Sequence, residues 1–90
     1  MLEATVRVTN ILGLHARAAA QLVRLANGFK SEIVLMRTDS GISANAKSIL
    51  SVLNLAAALG AELRISANGD DESEAITGMT SLFTSNFGEE

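Results

Sequence analysis

The single histidine of this 90-residue chain is the residue whose type and position best suit chemistry. His15 lies in residues 13–17, Gly-Leu-His-Ala-Arg, where an apolar, strand-like run gives way to an alanine-rich, helix-like one. A neutral imidazole attacks phosphorus readily, Arg17 supplies a cation, and a helix start offers unpaired backbone N–H groups to an anion. We therefore predict that His15 accepts a phosphoryl group; the alternative is an ordinary surface or core histidine.

The sequence lacks the residues with which a protein binds and cleaves ATP by itself. It contains no glycine-rich phosphate loop of the P-loop type and no carboxylate cluster around His15 that would hold magnesium. With no cysteine and one histidine, we expect no disulfide, no metal site and no cofactor. If His15 takes up phosphate, its donor and acceptor must be other proteins. We therefore expect a phosphotransfer intermediate that depends on partner enzymes, and not an enzyme that turns over a substrate alone.

Composition limits the classes of partner. The formal charge is −3 and the basic residues are scattered, so we expect no nucleic-acid binding. The chain has no basic, apolar leader pattern and no run of roughly 20 apolar residues, which predicts a cytoplasmic protein that does not insert into membranes. Hydrophobic residues make up 48% of the chain and aromatic residues 3%, so we expect one domain, residues 1–90, with an aliphatic core.

Hydrophobic periodicity predicts the elements that position His15. A period of two predicts four strands, at residues 2–9, 32–37, 42–45 and 62–67. Three-and-four spacing predicts a helix over 16–27 and a last helix that starts with the acidic run 70–74, and a short apolar helix is expected to begin at Ser48. This order predicts an α+β fold, an open-faced β-sandwich in which a four-stranded antiparallel sheet has three helices packed on one face.

Three further local features are predicted from residue type. Asn27-Gly28 is expected to end the first helix as a left-handed cap, and the acidic run 70–74 to complement the dipole of the last helix. The hydrophobic periodicity of the last helix ends after Ser85, so residues 86–90 are expected to be a frayed tail.

Two exposed surfaces are expected to dock partner proteins. Arg17, Gln21 and Arg24 should share one outward stripe of the first helix. The short helix is apolar nearly all round, and a small helix on a sheet cannot bury all of that surface. Exposed apolar patches tend to be docking sites.

The motifs together resemble the HPr family, the histidine-containing phosphocarriers of the bacterial phosphoenolpyruvate-dependent sugar phosphotransferase system (PTS). The resemblance covers most of the chain and rests on three segments: residues 13–17, Lys-Ser-Ile at 47–49, and the stretch from Gly-Ala-Glu at 60–62 to Asp-Asp-Glu at 70–72. It implies that enzyme I, which draws on phosphoenolpyruvate, phosphorylates His15 on Nδ1. It also implies that Arg17 steadies the phosphoryl group, that IIA domains of sugar permeases receive it, and that the fold is HPr-like.

The same resemblance implies a second phosphorylation site at Ser48. Ser48 matches the serine that an ATP-dependent HPr kinase/phosphorylase modifies in many bacteria; the adjoining docking patch would comprise Lys47, Ile49, Leu50 and Leu53. The alternative is that Ser48 is a plain N-cap, for which serine is a preferred residue. Both can hold, because phosphate at a helix N-terminus is electrostatically favoured.

One residue departs from the family pattern. The usual proline after the arginine is Ala18 here. Alanine loosens the entry to the helix and restores a backbone N–H close to the phosphate. We expect Ala18 to alter the rate or lifetime of phosphorylation without abolishing it.

Three interpretations remain open at this level. The first is a sugar PTS phosphocarrier, acting as a monomer that leaves one partner for the next. The second is a regulatory module of the same fold, in which Ser48 phosphorylation controls association with a transcriptional regulator or an enzyme and sugar transfer is weak or lost. The third is a small-molecule-binding α+β domain with an incidental His15. The sequence does not identify the sugars, or whether a nitrogen-related PTS branch is served.

Overall fold

Residues 1–89, which the computed structural model describes, form a four-stranded sheet with three α-helices on one face. The strands are β1 (Leu2–Arg7), β2 (Glu32–Arg37), β3 (Ser43–Asn45) and β4 (Glu62–Asn68), and the helices are α1 (Ala16–Ala26), α2 (Ile49–Asn54) and α3 (Glu72–Thr84). Neighbouring strands are antiparallel, in the order β1-β4-β2-β3. The predicted fold class is confirmed, with predicted and observed strand boundaries within two residues of each other.

Alternation along the strands builds the sheet half of the core. Leu63, Ile65 and Ala67 of β4 are buried, and each lies between strand neighbours that are less buried. In the sheet register Leu63 faces Val6 of β1, and Ile65 faces Leu35 of β2. Because successive side chains point to opposite faces, one face of the sheet is apolar and the other faces water.

The helices cover the apolar face with small and aliphatic side chains. Helix α1 buries Ala18, Ala19, Leu22 and Ala26, and it packs against α2 and α3. Its alanines let the backbones approach closely, which suits a core with few aromatic rings.

Helices α1 and α2 lie antiparallel, so the start of each is near the end of the other. The Asn27 side chain, at the end of α1, donates to the Lys47 carbonyl just before α2, with 3.3 Å between Nδ2 and O. At the opposite end, the Leu14 N–H donates to the Ala57 carbonyl over 2.9 Å. The fold therefore places the start of α1 against the loop that follows α2.

The end of α1 differs from the prediction. Asn27 keeps a right-handed conformation with φ −70°, and Gly28 is not among the positive-φ glycines, so the predicted left-handed cap is wrong. The N–H groups of Gly28 and Phe29 instead donate to carbonyls three residues earlier, at 3.0 and 3.2 Å. The last turn tightens and satisfies its carbonyls without a left-handed residue.

The acidic run before α3 has two different roles. Glu72 lies in the first turn of α3 and accepts a hydrogen bond from the Gly69 N–H at 3.2 Å, as expected for a helix-start acid. Asp71 makes no capping bond to its own helix. Its carboxylate accepts from the N–H groups of Lys30 and Ser31, at 2.8 and 2.9 Å, and from the Ser31 hydroxyl. Asp71 therefore anchors the loop before β2.

Residues 86–89 are not the frayed tail that the sequence predicts. Residues Asn86–Gly88 form a turn in which Phe87 is 3% exposed. The Phe87 ring packs edge-on against Phe83, with 5.0 Å between ring centroids. The prediction is wrong because one aromatic side chain can anchor a segment too short to show any periodicity; Glu90 lies outside the described residues.

Candidate functional site

His15 is the N-cap of α1, and its ring faces the first turn of the helix. Its backbone is extended, with φ −74° and ψ 178°, and its carbonyl accepts from the Ala19 N–H. The ring Nδ1 accepts a hydrogen bond from the Arg17 N–H, with 3.3 Å between the two nitrogens. Because a backbone N–H can only donate, Nδ1 holds a lone pair and no proton.

The other ring nitrogen contacts a carboxylate. His15 Nε2 lies 2.6 Å from Glu89 Oε2, a hydrogen bond that requires the ring proton on Nε2. The His15 and Glu89 side chains are 24% and 13% exposed, so the pair is largely shielded from water. Sequence reasoning missed Glu89, because nothing in a polar segment at the end of the chain signals a contact 74 positions away.

Asn10 joins the carboxylate to the loop between β1 and α1. Asn10 is 4% exposed, and its Nδ2 donates to the Gly13 carbonyl at 2.8 Å and to Glu89 Oε1 at 3.3 Å. The pKa of Glu89 is lowered, chiefly by the hydrogen bond from His15; burial opposes this shift, and the Asn10 bond and the charge on Arg17 support it. The carboxylate is therefore ionised and held on both oxygens.

Gly13 lets the loop between β1 and α1 pass close to the backbone of the segment that follows α2. Its φ is +65°, and a Cβ there would lie 2.6 Å from the Ala57 carbonyl oxygen. Only glycine combines this backbone conformation with so close an approach. The following Leu14 is buried, which fixes the chain entering His15.

The first turn of α1 presents the predicted cation and N–H groups. Arg17 is exposed, and it makes no ion pair with any carboxylate of residues 1–89. Ala18 is fully buried through its methyl group, while its N–H belongs to the turn that has no intrahelical acceptor. The predicted stripe occurs on one side of α1, with Arg17 and Arg24 exposed and Gln21 half-buried.

Ser48 lies at the other end of α1 from His15. It is the N-cap of α2, and its Oγ accepts from the Ser51 N–H over a long 3.4 Å. The Asn27 side chain, at the end of α1, is bonded to the chain entering α2, so Ser48 lies toward the end of α1 that is opposite His15. The structure does not bring the two predicted phosphorylation sites together.

The apolar surface of α2 is exposed beside Ser48. Leu50 is 70% exposed, Ile49 is 38% exposed and Leu53 is half-buried. We call these three residues the α2 patch. Lys47, predicted as a member of the docking patch, donates from Nζ to the Phe29 carbonyl at 2.7 Å and so joins the start of α2 to the segment after α1.

Residues 1–89 also bear on metal binding and membrane insertion. No group of three or more His, Cys, Asp or Glu side chains in that range is placed to hold a metal ion. No helix in that range is long and apolar enough to cross a membrane.

Comparison with known proteins gives four findings. The family model described as PTS HPr component phosphorylation site matches residues 2–85. Phosphocarrier protein NPr of Escherichia coli (strain K12) is 43% identical over 86 residues, which are 96% of this chain and 94% of that protein. The crystal structure of HPr-C-His from Thermoanaerobacter tengcongensis is similar with a TM-score of 0.93 and 42% identity, covering 100% of this chain and 99% of that one. The Bacillus subtilis catabolite repression protein Crh, a domain-swapped dimer in its crystal structure, gives a TM-score of 0.74 at 37% identity, covering 93% of this chain and 94% of that one.

Proposed function

The chain belongs to the PTS HPr family, and we propose that it accepts a phosphoryl group from phospho-enzyme I on His15 and passes it to IIA domains. The observation that carries this proposal is which nitrogen of the His15 ring donates a hydrogen bond and which one accepts. Its Nδ1 lone pair points at the start of α1 while its proton sits on Nε2.

The phosphotransfer step follows from that ring geometry. The Nδ1 lone pair attacks phosphorus, the N–P bond forms, and the bond from phosphorus to the donor breaks with its electron pair returning to the donor. No proton has to leave Nδ1, so no separate general base is needed. In the onward transfer, a IIA side chain attacks phosphorus and forms a bond to it, and the N–P bond breaks with its electron pair returning to Nδ1.

The surroundings of Nδ1 suit a phosphoryl group. When Nδ1 bonds to phosphorus, the Arg17 N–H loses its present acceptor and can donate to a phosphoryl oxygen. The exposed Arg17 guanidinium and the positive end of the α1 dipole add favourable charge. Nothing in this arrangement activates a water molecule, which suits a carrier that keeps phosphate for a partner.

We assign the docking of both partners to the α1 stripe and the α2 patch. The exposed arginines of the stripe suit acidic partner surfaces, and the adjacent α2 patch supplies apolar contact area. A relay must release each partner quickly, so we expect a monomer with modest, polar-rimmed contacts, working in the cytoplasm between enzyme I and IIA.

Ser48 is the proposed site of regulation by an ATP-dependent HPr kinase/phosphorylase. A phosphate adds about −1.5 to −2 charges beside exposed Ile49 and Leu50. That charge lies toward the end of α1 opposite His15, and salt screens exposed charges over a Debye length of about 8 Å at physiological ionic strength. Phosphorylated Ser48 is therefore expected to weaken docking at the α2 patch without changing the His15 ring.

A second candidate is a regulatory module in which Ser48 controls association with a transcriptional regulator and sugar transfer is weak. The likeness to Crh and the Ala18 departure favour it. The His15, Arg17 and Glu89 arrangement favours the carrier, because regulation alone does not need a poised imidazole.

One labelling experiment tests both candidates. With phosphoenolpyruvate and enzyme I, we expect an acid-labile, base-stable phosphate that is lost in His15→Ala and kept in Ser48→Ala. With ATP and an HPr kinase/phosphorylase, we expect an acid-stable phosphate that is lost in Ser48→Ala and kept in the matched variant Ser51→Ala. A chain that shows only the second label would reject the carrier in favour of the regulatory module.

A further inference from the structure

The segment after α3 turns back across the loop between β1 and α1. Phe87 anchors it in the core, and the Thr9 hydroxyl donates to Asn86 Oδ1. Asn86 and Phe87 have φ of 55° and 57°, and Gly88 follows with 75°. Left-handed conformations at non-glycine residues persist only where packing imposes them. The position of the segment is therefore set by the fold.

This segment delivers Glu89 to the side of the imidazole opposite the nucleophile. Glu89 Oε2 takes the Nε2 hydrogen bond over 2.6 Å, and Oε1 takes the bond from Asn10. Asn10 is itself fixed by its bond to the Gly13 carbonyl. The carboxylate thus has little freedom to move away from the ring.

Two loops beside the start of α1 carry no charge. The loop 8–14 and the loop 55–61 between α2 and β4 contain no titratable side chain. Arg17 on α1 is the cation near the carboxylate, and it contributes to lowering the pKa of Glu89. Glu89 is therefore the carboxylate in hydrogen-bond contact with the ring, and Arg17 is the cation whose charge acts on Glu89.

We propose that Glu89 is a positioning residue for phosphotransfer, which holds the His15 ring in the Nε2–H tautomer and offsets the positive charge that the ring gains on attack. Without Glu89, only the 3.3 Å hydrogen bond from the Arg17 N–H to Nδ1 favours this tautomer. Part of the population then carries the proton on Nδ1, and the Nδ1–H form is not a nucleophile at Nδ1. This inference rests on the proposed function and adds a residue to it.

The charge balance of the step shows what the carboxylate contributes. When the neutral ring attacks through Nδ1, Nε2 keeps its proton and the ring becomes a phosphorylated imidazolium. The Glu89 carboxylate then faces a positive ring, and this interaction strengthens as the N–P bond forms. Interactions that are stronger in the transition state than in the ground state accelerate the reaction. When the phosphoryl group leaves, the ring returns to neutrality with its proton still on Nε2.

Two substitutions separate the two contributions of Glu89. Glu89→Gln keeps an oxygen that accepts from Nε2–H but removes the charge, whereas Glu89→Ala removes both. Glu74→Gln is the matched control, because Glu74 is an exposed acid of α3 with no hydrogen bond or ion pair within residues 1–89. Circular dichroism melting checks that each variant is folded.

The first measurement is nitrogen–proton NMR of the unphosphorylated His15 ring, which reports the tautomer without any partner enzyme. We expect the Nε2–H tautomer in the wild type, Glu89→Gln and Glu74→Gln, and a mixture of tautomers in Glu89→Ala. The second measurement is the rate of phosphorylation by phospho-enzyme I. We expect a decrease of about tenfold in Glu89→Ala, a smaller decrease in Glu89→Gln, and no change in Glu74→Gln.

A Glu89→Ala protein with an unaltered tautomer, or with the wild-type phosphorylation rate, would overturn the proposal. Failure of the proposed function gives a different pattern: the ring tautomer responds to Glu89→Ala, but phospho-enzyme I labels none of the proteins, including the wild type.

Discussion

Asp71 shows at the scale of a residue how one carboxylate fixes a distant loop. It accepts from two backbone N–H groups and one hydroxyl that lie 40 and 41 positions earlier in the chain. These bonds hold the charged form, and the pKa of Asp71 falls from its ordinary value of 3.8 to about 2, chiefly because of the Ser31 hydroxyl. The ionised carboxylate therefore favours the folded state.

The lowered pKa predicts how stability depends on pH. A group whose pKa is lower in the folded state stabilises the protein fully above its unfolded pKa, and this stabilisation is lost as pH falls through the folded pKa. We expect Asp71→Asn to melt several degrees below the wild type near neutral pH, and the gap to shrink between pH 3.8 and about pH 2. Melting followed by circular dichroism across this range checks it.

Asp70→Asn provides the control, because the neighbouring Asp70 is exposed. Its melting temperature should stay close to that of the wild type at each pH. Equal melting temperatures for the Asp70 and Asp71 variants near neutral pH would contradict the role given to Asp71.

At the scale of an element, the first turn of α1 both packs into the core and contacts the His15 ring. The methyl groups of Ala18 and Ala19 are buried in the core, while the Arg17 N–H donates to Nδ1 of His15. Ala18 contributes to both, since its side chain is fully buried and its N–H has no intrahelical acceptor. Because proline has no backbone N–H, alanine at position 18 adds one backbone hydrogen-bond donor to the first turn of α1.

Ala18→Pro removes one of those donors and pre-sets φ for the first helical turn. We expect phosphorylation at His15 to persist, with the lifetime of the phosphohistidine reduced about fivefold, the equivalent of one hydrogen bond of about 1 kcal/mol. The decay of labelled protein and its transfer to IIA measure this effect.

Ala18→Gly is the companion variant, because it keeps the N–H while changing the side chain. Its phosphohistidine should decay at the wild-type rate. Kinetics in Ala18→Pro that match the wild type in both directions would show that the extra N–H has no influence.

At the scale of the whole molecule, the two ends of the fold meet at His15. The chain leaves β1 into the loop that carries Asn10 and Gly13, and it returns after α3 to place Glu89 against the same loop. Phe87 is the link, since its ring lies in the core beside Phe83 and Gly88 alone separates it from Glu89 in the sequence. Global packing and site geometry are therefore coupled through one side chain.

This coupling predicts that a core substitution alters the ring of His15. We expect Phe87→Ala to lower the free energy of unfolding by about 3 kcal/mol and to give the mixture of His15 tautomers expected for Glu89→Ala. Urea denaturation measures the first effect, and NMR of the ring under native conditions measures the second.

Phe87→Leu retains an apolar anchor of similar reach. It should cost about 1 kcal/mol and keep the Nε2–H tautomer. A Phe87→Ala protein that is destabilised but keeps the wild-type tautomer would show that Glu89 holds the ring without its aromatic anchor.

The sequence by itself determined the elements and the position of His15 at a helix start, where we propose that it acts as the nucleophile. Alternation in β4, the aliphatic spacing in α1 and the change of period around His15 are local patterns, and each reflects which face of an element must avoid water. Family motifs around His15 and Ser48 are local in the same sense. The fold class and the helix start at His15 follow from these patterns.

Only the tertiary structure decided how the His15 ring is held. The contact with Glu89, the Asp71 anchor of the loop before β2, and the position of Ser48 at the far end of α1 all join residues distant in the sequence. Such contacts depend on how packed elements orient the short segments between them. A single anchoring residue such as Phe87 produces no periodic signal, so the segment that completes the site looks like a polar tail until the core around it is known.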